Sequence, residues 1–420
     1  MAISLFAGLL RFARNDNFMK IVILSNLFPP NSRGGAEVAA KNQADKFCIQ
    51  GNEVIVLTLS SLNKFCIRFC CHCEERGDEA ISSKTGLPRP NASGLAMTDK
   101  KIKVYELRHR NIFNYLYIGR YSALVRFLWH IIDTFNFWLA SDIKKILKEE
   151  NPDLVICHNL KGLSLLTPFK IQNLCAQGAP ASGGKFKIHQ IMHDVSLYTP
   201  SGLIERGREN IFEHRGFLTK IYRFFTRRLF RYQEKVIFPS RWLLDFYSQN
   251  GFFNRQEKIL EPNIIIFFGY QVPNGYLVPK KIGEGLLYVG QLERHKGIML
   301  LLDAFEKLDN VKSPTLNIVG DGSLLPEIKK RAEKNLNIIV HGRISHEKLP
   351  EFYSRAKATI FPSLVYENAP MVIAESLSCG TSVIVSRLGG APEFIREGEN
   401  GATFTPGDVD DLAEKIKKYL

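Results

Sequence analysis

The chain has 420 residues, more than one hydrophobic core usually absorbs, so two domains are expected. Apolar residues make up 45% and charged residues 23%, which describes a globular protein, and no apolar run reaches the ~18 residues of a membrane span. The net charge of +14 lies entirely within residues 1–278, whereas residues 279–420 are neutral, so the two halves are expected to meet different partners. The opening MAISLFAGLL has no basic residue ahead of it and makes a poor signal peptide.

In chain order, MKIVILSNLFPP from Met19 reads as a buried parallel strand followed by a loop. A helix fits Gly35–Gln50, ended by Gly51, and NEVIVLT gives a second strand. Residues 61–100 break this rhythm with no sustained period. They are read as a disordered insertion, and residues 1–18 as a non-native leader with Met19 as the functional start; an ordinary variable loop and a genuine N-terminus are the alternative. The alternation resumes with KIKVYEL, a long helix over about 119–149, PDLVICH and KIHQIMHD. VPNGYLVPKKIGEG, residues 272–285, reads as a link between domains, giving boundaries of 19–275 and 276–420. GLLYVG, TLNIVGDG, NIIVHG, ATIFPS and SVIVS then alternate with helices. Strand–helix alternation in both halves means two doubly wound α/β domains, whose ligands bind at the carboxyl ends of the strands.

The basic stretch RGFLTKIYRFFTRRLFRYQEK, residues 215–235, alternates apolar and cationic residues at near-helical spacing. That suits a helix on an anionic bilayer surface, and equally a solvated helix whose arginine stems cover the core. No nucleic-acid motif accompanies the charge. Cys66, Cys70, Cys71 and Cys73 cluster with His72, but without paired C-x2-C knuckles, so no metal site is assigned. The scattered remaining cysteines suit free thiols in a reducing cytoplasm.

Glu367 and Glu375 flank the start of an expected helix, about Ala369–Cys379, with Asn368 as its cap, Pro370 in its first turn and Gly380 at its stop. The helix N–H groups near Pro370, Met371, Val372 and Ile373 attract phosphate. Glu367 beside them would repel phosphate, so it suits sugar hydroxyls, and Glu375 suits a diol such as a ribose. Taken alone, the pair reads as well as two solvent-facing glutamates.

The surrounding motifs decide against that. YVGQLERHKG, VGDG, VHGRISHEKLPEFYSRAKATIFPS, the E-x7-E pair and SRLGGAPEFIREGENGATF resemble, in order and spacing, the retaining glycosyltransferases of family 4. SNLFPPNSRGGAEVAA and VPNG look like the same family's N-terminal glycine loop and linker, so the resemblance covers about residues 19–60 and 101–420. It implies a GT-B fold, two Rossmann-like domains facing across a cleft. It also implies transfer of a sugar, with retained anomeric configuration, from a nucleoside-diphosphate sugar to a glycan or lipid-linked acceptor of the cell envelope. No metal or other cofactor is expected. The implied setting is cytoplasmic, with peripheral contact to the inner face of the membrane.

By the same resemblance, Lys296 neutralises the donor diphosphate and Glu367 positions the sugar. Gly34 and Gly35 allow close approach of donor phosphate or acceptor, and the backbone at Arg343–Ile344 holds the base. Gln291 stands where the family often has an arginine, leaving Arg294 or Arg343 to compensate. His193 is expected near the sugar or acceptor and His158 in a structural role, with Asp194 either orienting His193 or capping the next segment. The chain ends at Leu420, where family members usually add a helix. A decayed transferase that only binds nucleotide, and a GT-B sugar-nucleotide epimerase, remain the alternatives.

Overall fold

The computed structural model describes residues 18–31, 34–70, 102–176, 186–210, 216–262, 285–308 and 314–420. The leader other than Phe18, residues 71–100 and almost all of the expected link lie outside the described residues.

The first sheet begins with β1 (Lys20–Leu24), whose Ile21, Val22, Ile23 and Leu24 are at most 1% exposed, as a strand covered on both faces requires. Then follow α1 (Gly35–Ile49), β2 (Glu53–Leu59), β3 (Cys66–Cys70) and β4 (Ile102–Leu107). The segment expected to be one long helix is instead broken. A short 3-10 turn at Tyr115–Arg120 precedes α2 (Ala123–Thr134) and α3 (Phe137–Glu150). The break falls at Asn136, whose Oδ1 accepts from Leu139 N while its Nδ2 donates to the Arg110 carbonyl. A short polar side chain that satisfies a helix start in this way favours a new N-terminus over continuation.

Next come β5 (Leu154–Cys157), α4 (Thr167–Ala176), β6 (Lys187–Ile191), α5 (Phe217–Leu229), β7 (Lys235–Phe238), α6 (Arg241–Gln249) and β8 (Glu257–Leu260). The sheet order is β3-β4-β2-β1-β5-β6-β7-β8. β1 pairs in parallel with β2 and β5, and β2 with β4. Strand β3 lies within the segment read as an insertion, yet it adds antiparallel to the edge of the sheet through β4.

The second sheet is built from β9 (Leu286–Val289), α7 (Ile298–Glu306), β10 (Leu316–Val319), α8 (Leu325–Lys334), β11 (Ile338–Gly342), α9 (Leu349–Arg355), β12 (Ala358–Phe361), α10 (Met371–Ser378), β13 (Ser382–Ser386), β14 (Gly401–Phe404) and α11 (Val409–Lys417). Its order, β11-β10-β9-β12-β13-β14, is the doubly wound arrangement, with the reversal of winding between β9 and β12. Leu286, Leu301, Leu302, Ile318, Ile360, Ile384, Phe404, Leu412 and Ile416 fill its core, each at most 1% exposed.

Packing divides the chain into two compact units: residues up to 33 with 40–189, and residues 34–39 with 190–420. The second unit thus joins the second sheet to the segment after β6. Inside it, the backbone of Ile204–Arg206 runs along Leu364–Tyr366, with Arg206 N donating to the Leu364 carbonyl and Tyr366 N to the Ile204 carbonyl. Among the described residues no helix is long and apolar enough to cross a membrane.

Candidate active site

In a doubly wound sheet the crevice opens beyond the carboxyl ends of the two strands where winding reverses, because the connecting helices leave in opposite directions there. In the second sheet those strands are β9 and β12. The turn after β9 carries Gln291, Arg294 and Lys296, and the loop after β12 carries Glu367. Gly297 brings the two together. It sits at φ +75°, and a Cβ there would lie 1.9 Å from the Pro362 carbonyl oxygen, so only glycine lets the turn approach this closely. The Lys296 ammonium then pairs with Glu367 Oε1, and both side chains remain about one fifth exposed. Ser363 Oγ donates to the same oxygen at 3.3 Å.

Glu375, eight residues on, lies in a different setting. It is 4% exposed, its Oε2 accepts from Tyr353 Oη at 2.8 Å, and its Oε1 meets His346 Nε2 at 2.9 Å. Burial and the adjacent Glu375 carboxylate hold the Tyr353 phenol well above its ordinary range, so it stays a hydrogen-bond donor.

Helix α10 differs from the expectation at its start. It begins at Met371, with Pro370 at the N-cap position and no side-chain cap. Asn368 is not the cap. Its Oδ1 accepts from Ser240 Oγ at 2.5 Å, and its Nδ2 donates to the carbonyls of Met192 and His193 at 3.2 and 3.3 Å. A buried amide with three available partners is better satisfied there than by one helix N–H. The expected stop is as read: Gly380, at φ +77°, follows the C-cap Cys379. Ile373 N donates to the Pro370 carbonyl at 3.2 Å, and the N–H groups of Met371 and Val372 ahead of it lie at the end of the helix that attracts an anion. Met371 and Ile373 are buried, and Val372 packs with Ile344 against Leu287, Val319, Leu349 and Tyr353.

Asn368 thus brings the third catalytic candidate into the same unit. Burial pulls the His193 imidazole down to about 4, with Asp194 opposing, so it is neutral at pH 7. Asp194 Oδ1 accepts from Ser196 N at 2.8 Å, so the aspartate caps the following turn. Gly35 approaches Met371 so closely that a Cβ would lie 2.8 Å from Met371 Cγ, and Gly34 N donates to Glu37 Oε2. Arg294, Arg343 and Gln291 are exposed. His158 is 2% exposed and bonded to Gln43 Oε1 at 2.8 Å. The sequence reading missed Tyr353, His346, Ser240 and the bridging role of Asn368. Tyr353 sits in an ordinary apolar helix pattern, and only the fold aims its hydroxyl at Glu375.

A lysine–carboxylate pair and a helix N-terminus thus stand at the switch point, where sheets of this kind bind ligands and where N–H groups favour an anion. Residues 279–420 match the family model described as Glycosyl transferases group 1. An uncharacterized 42.6 kDa protein in the cps region of Klebsiella pneumoniae is 22% identical over 90% of this chain and 88% of its own. The lipopolysaccharide 1,2-N-acetylglucosaminetransferase of Salmonella typhimurium is 30% identical over 44% of this chain, and the match spans about half, 53%, of that relative. Among solved structures, Anabaena Alr3699/HepE in complex with UDP superposes with a TM-score of 0.59 at 16% identity, covering 95% of this chain and 89% of that one. The fold is therefore GT-B.

Proposed function

We propose that the chain is a retaining glycosyltransferase of family 4, which moves a sugar from a nucleoside-diphosphate sugar to a glycan or lipid-linked acceptor in envelope polysaccharide or lipopolysaccharide synthesis. The observation that carries this reading is the Lys296–Glu367 pair beside the N-terminus of α10, at the carboxyl ends of β9 and β12. The names of the Salmonella relative and of the UDP-bound neighbour support the acceptor and donor classes.

In this reading the donor diphosphate lies against Lys296 and the first-turn N–H groups of α10. As the bond from the anomeric carbon to the diphosphate oxygen breaks, negative charge grows on the leaving group, and these groups stabilise it most at that moment. A bond to the acceptor hydroxyl oxygen forms and its proton is released. Glu367, once Lys296 turns to the diphosphate, accepts from sugar hydroxyls, and Glu375 accepts from the ribose diol. The backbone at Arg343–Ile344 flanks the base, and Arg294, Arg343 and Gln291 add polar contact to the donor. Gly34 and Gly35 admit the donor or acceptor close to the backbone. Neutral His193 accepts from a sugar or acceptor hydroxyl. No metal or cofactor is assigned a role.

The acceptor side includes α5. Its Phe217, Leu218, Ile221, Phe224 and Phe225 are exposed, while Arg223 lies over the Tyr198 ring and Arg227 donates to the Asn250 carbonyl. Part of its charge therefore serves the fold, and its apolar outer face supports peripheral membrane contact.

The test is a thermal-shift panel on the full chain with uridine, guanosine and adenosine diphosphates and their sugar conjugates. Stabilisation by the conjugates of one base, lost in Lys296→Ala, is expected. No stabilisation by any ligand in a cooperatively melting protein would overturn the reading.

A further inference from the structure

Helix α2 is built with its polarity reversed. Its buried side carries Trp129, Asp133 and Thr134. Trp129 Nε1 donates to the Phe113 carbonyl at 2.9 Å, and the Asp133 carboxylate accepts from Gly162 N at 2.9 Å and Ser164 N at 3.4 Å. Its outer side carries Leu124, Phe127, Leu128, Ile131 and Ile132, each 40% or more exposed. The stripe continues past the break at Asn136 through Phe135, Phe137 and Trp138, the last 69% exposed. Positions 124, 127, 128 and 131 follow helical spacing along α2, so they share one face, and exposed Phe137 and Trp138 open α3 just beyond the break. A contiguous apolar surface of this kind marks an interaction site, whereas singly scattered apolar residues do not.

The surroundings of the stripe select the partner. Around the stripe stand Arg108, Arg120 and Arg126, while Arg110 is paired with the half-exposed Asp142 at 2.7 Å and Asp133 is buried. Arg108, Arg110, Arg120 and Arg126 are exposed at the surface. Tyr117 and Tyr121 are exposed beside them, and Lys170 lies over the Phe137 ring. A second copy of this face in a two-fold contact would set the same cationic rim against itself. An anionic bilayer meets both features: acyl chains take the aliphatic stripe, headgroups take the arginines, and polar-tipped aromatics lie at the boundary.

We propose that α2 and the start of α3 form a membrane-docking surface that lies in the interface of an anionic lipid bilayer, with Leu124, Phe127, Leu128, Ile131 and Trp138 inserted and Arg120 and Arg126 on the headgroups. This does not rest on the transferase reading, nor on the surface of α5. The fold is anchored from behind by Trp129 and Asp133, so the outer residues are replaceable without loss of the core.

The experiment is co-flotation of the full chain with vesicles of phosphatidylcholine alone or mixed with phosphatidylglycerol, together with Trp fluorescence. The wild type is expected to bind the mixed vesicles, and Phe127→Ser with Ile131→Ser to weaken binding about tenfold or more. Lipid should also shift the wild-type emission to the blue, and Trp138→Phe should abolish that shift. A matched pair on α5, Phe217→Ser with Phe224→Ser, separates the two surfaces. Undiminished binding of the α2 pair, with loss in the α5 pair alone, would overturn the proposal. So would the absence of a Trp138-dependent shift, or a dimer in light scattering that the α2 pair dissociates while vesicle binding persists.

Discussion

The two glutamates that bracket the start of α10 are eight residues apart and differ in almost every physical respect. Glu367 is one fifth exposed and paired with an ammonium, whereas Glu375 is buried and held by a phenol and an imidazole. A lysine–carboxylate pair at a half-open site exchanges partners at little cost, because water and ligand compete with its Coulomb attraction. A buried carboxylate cannot, since losing a partner leaves an unsatisfied charge. Glu367 is therefore the carboxylate suited to change partners during a reaction. Glu375 is the one held in place to present a fixed acceptor.

The largest expected effects break that contrast at the mobile end. Glu367→Ala should cut transfer by about 100-fold or more, with a smaller change in nucleotide affinity, as removal of an interaction used chiefly in the transition state does. Lys296→Ala should lower transfer by about 100-fold and weaken diphosphate binding as well, both read from kcat and KM on the conjugates that the thermal-shift panel selects. Equal losses of affinity in Glu367→Ala and Glu375→Ala would remove the distinction between the two carboxylates.

Smaller effects sharpen the fixed end. Tyr353→Phe leaves Glu375 short of a buried donor and should reduce unfolding stability by about 1–3 kcal/mol in urea titrations. His346→Asn, at a partly exposed position, should change stability by less than about 1 kcal/mol. A result in which Tyr353→Phe is silent would show that Glu375 is not held as the geometry indicates.

The pH dependence concerns His193, tied through its carbonyl to Asn368 between the two regions. Its folded pKa of about 4 lies below the value near 6.5 of an unfolded histidine. Between those values the unfolded chain binds more protons, so this contribution to stability is complete above about pH 6.5 and is lost as pH falls toward 4. The stability difference between wild type and His193→Gln should therefore vary across that window and level off above it. A constant difference would contradict a desolvated, neutral imidazole.

Much of the second unit was legible in the chain. ATIFPS, TLNIVGDG and SVIVS are short apolar runs bounded by glycine or polar residues, and Gly380 marks a helix end, because these signals act within a few residues. Asn368 misled for the same reason. Local rules make an asparagine before Pro370 a cap, while Ser240, Met192 and His193, remote in sequence, offered it more partners. The reading of 119–149 as one helix failed similarly, since the partner that favours a break at Asn136 is the carbonyl of Arg110.

Segments whose outcome depends on contacts within a turn or two were thus determined by the sequence itself: the alternation of strands and helices, the glycine turns, the order of motifs and the uneven charge. Tertiary structure alone decided where polar side chains find their partners. It paired Lys296 with Glu367, closed Tyr353 and His346 on Glu375, and turned Trp129 and Asp133 inward so that α2 shows its apolar side to the outside. The physical reason is that a hydrogen bond or ion pair is specified by position in space, and residues 22 to 176 apart in the chain meet here only because the sheets place them together.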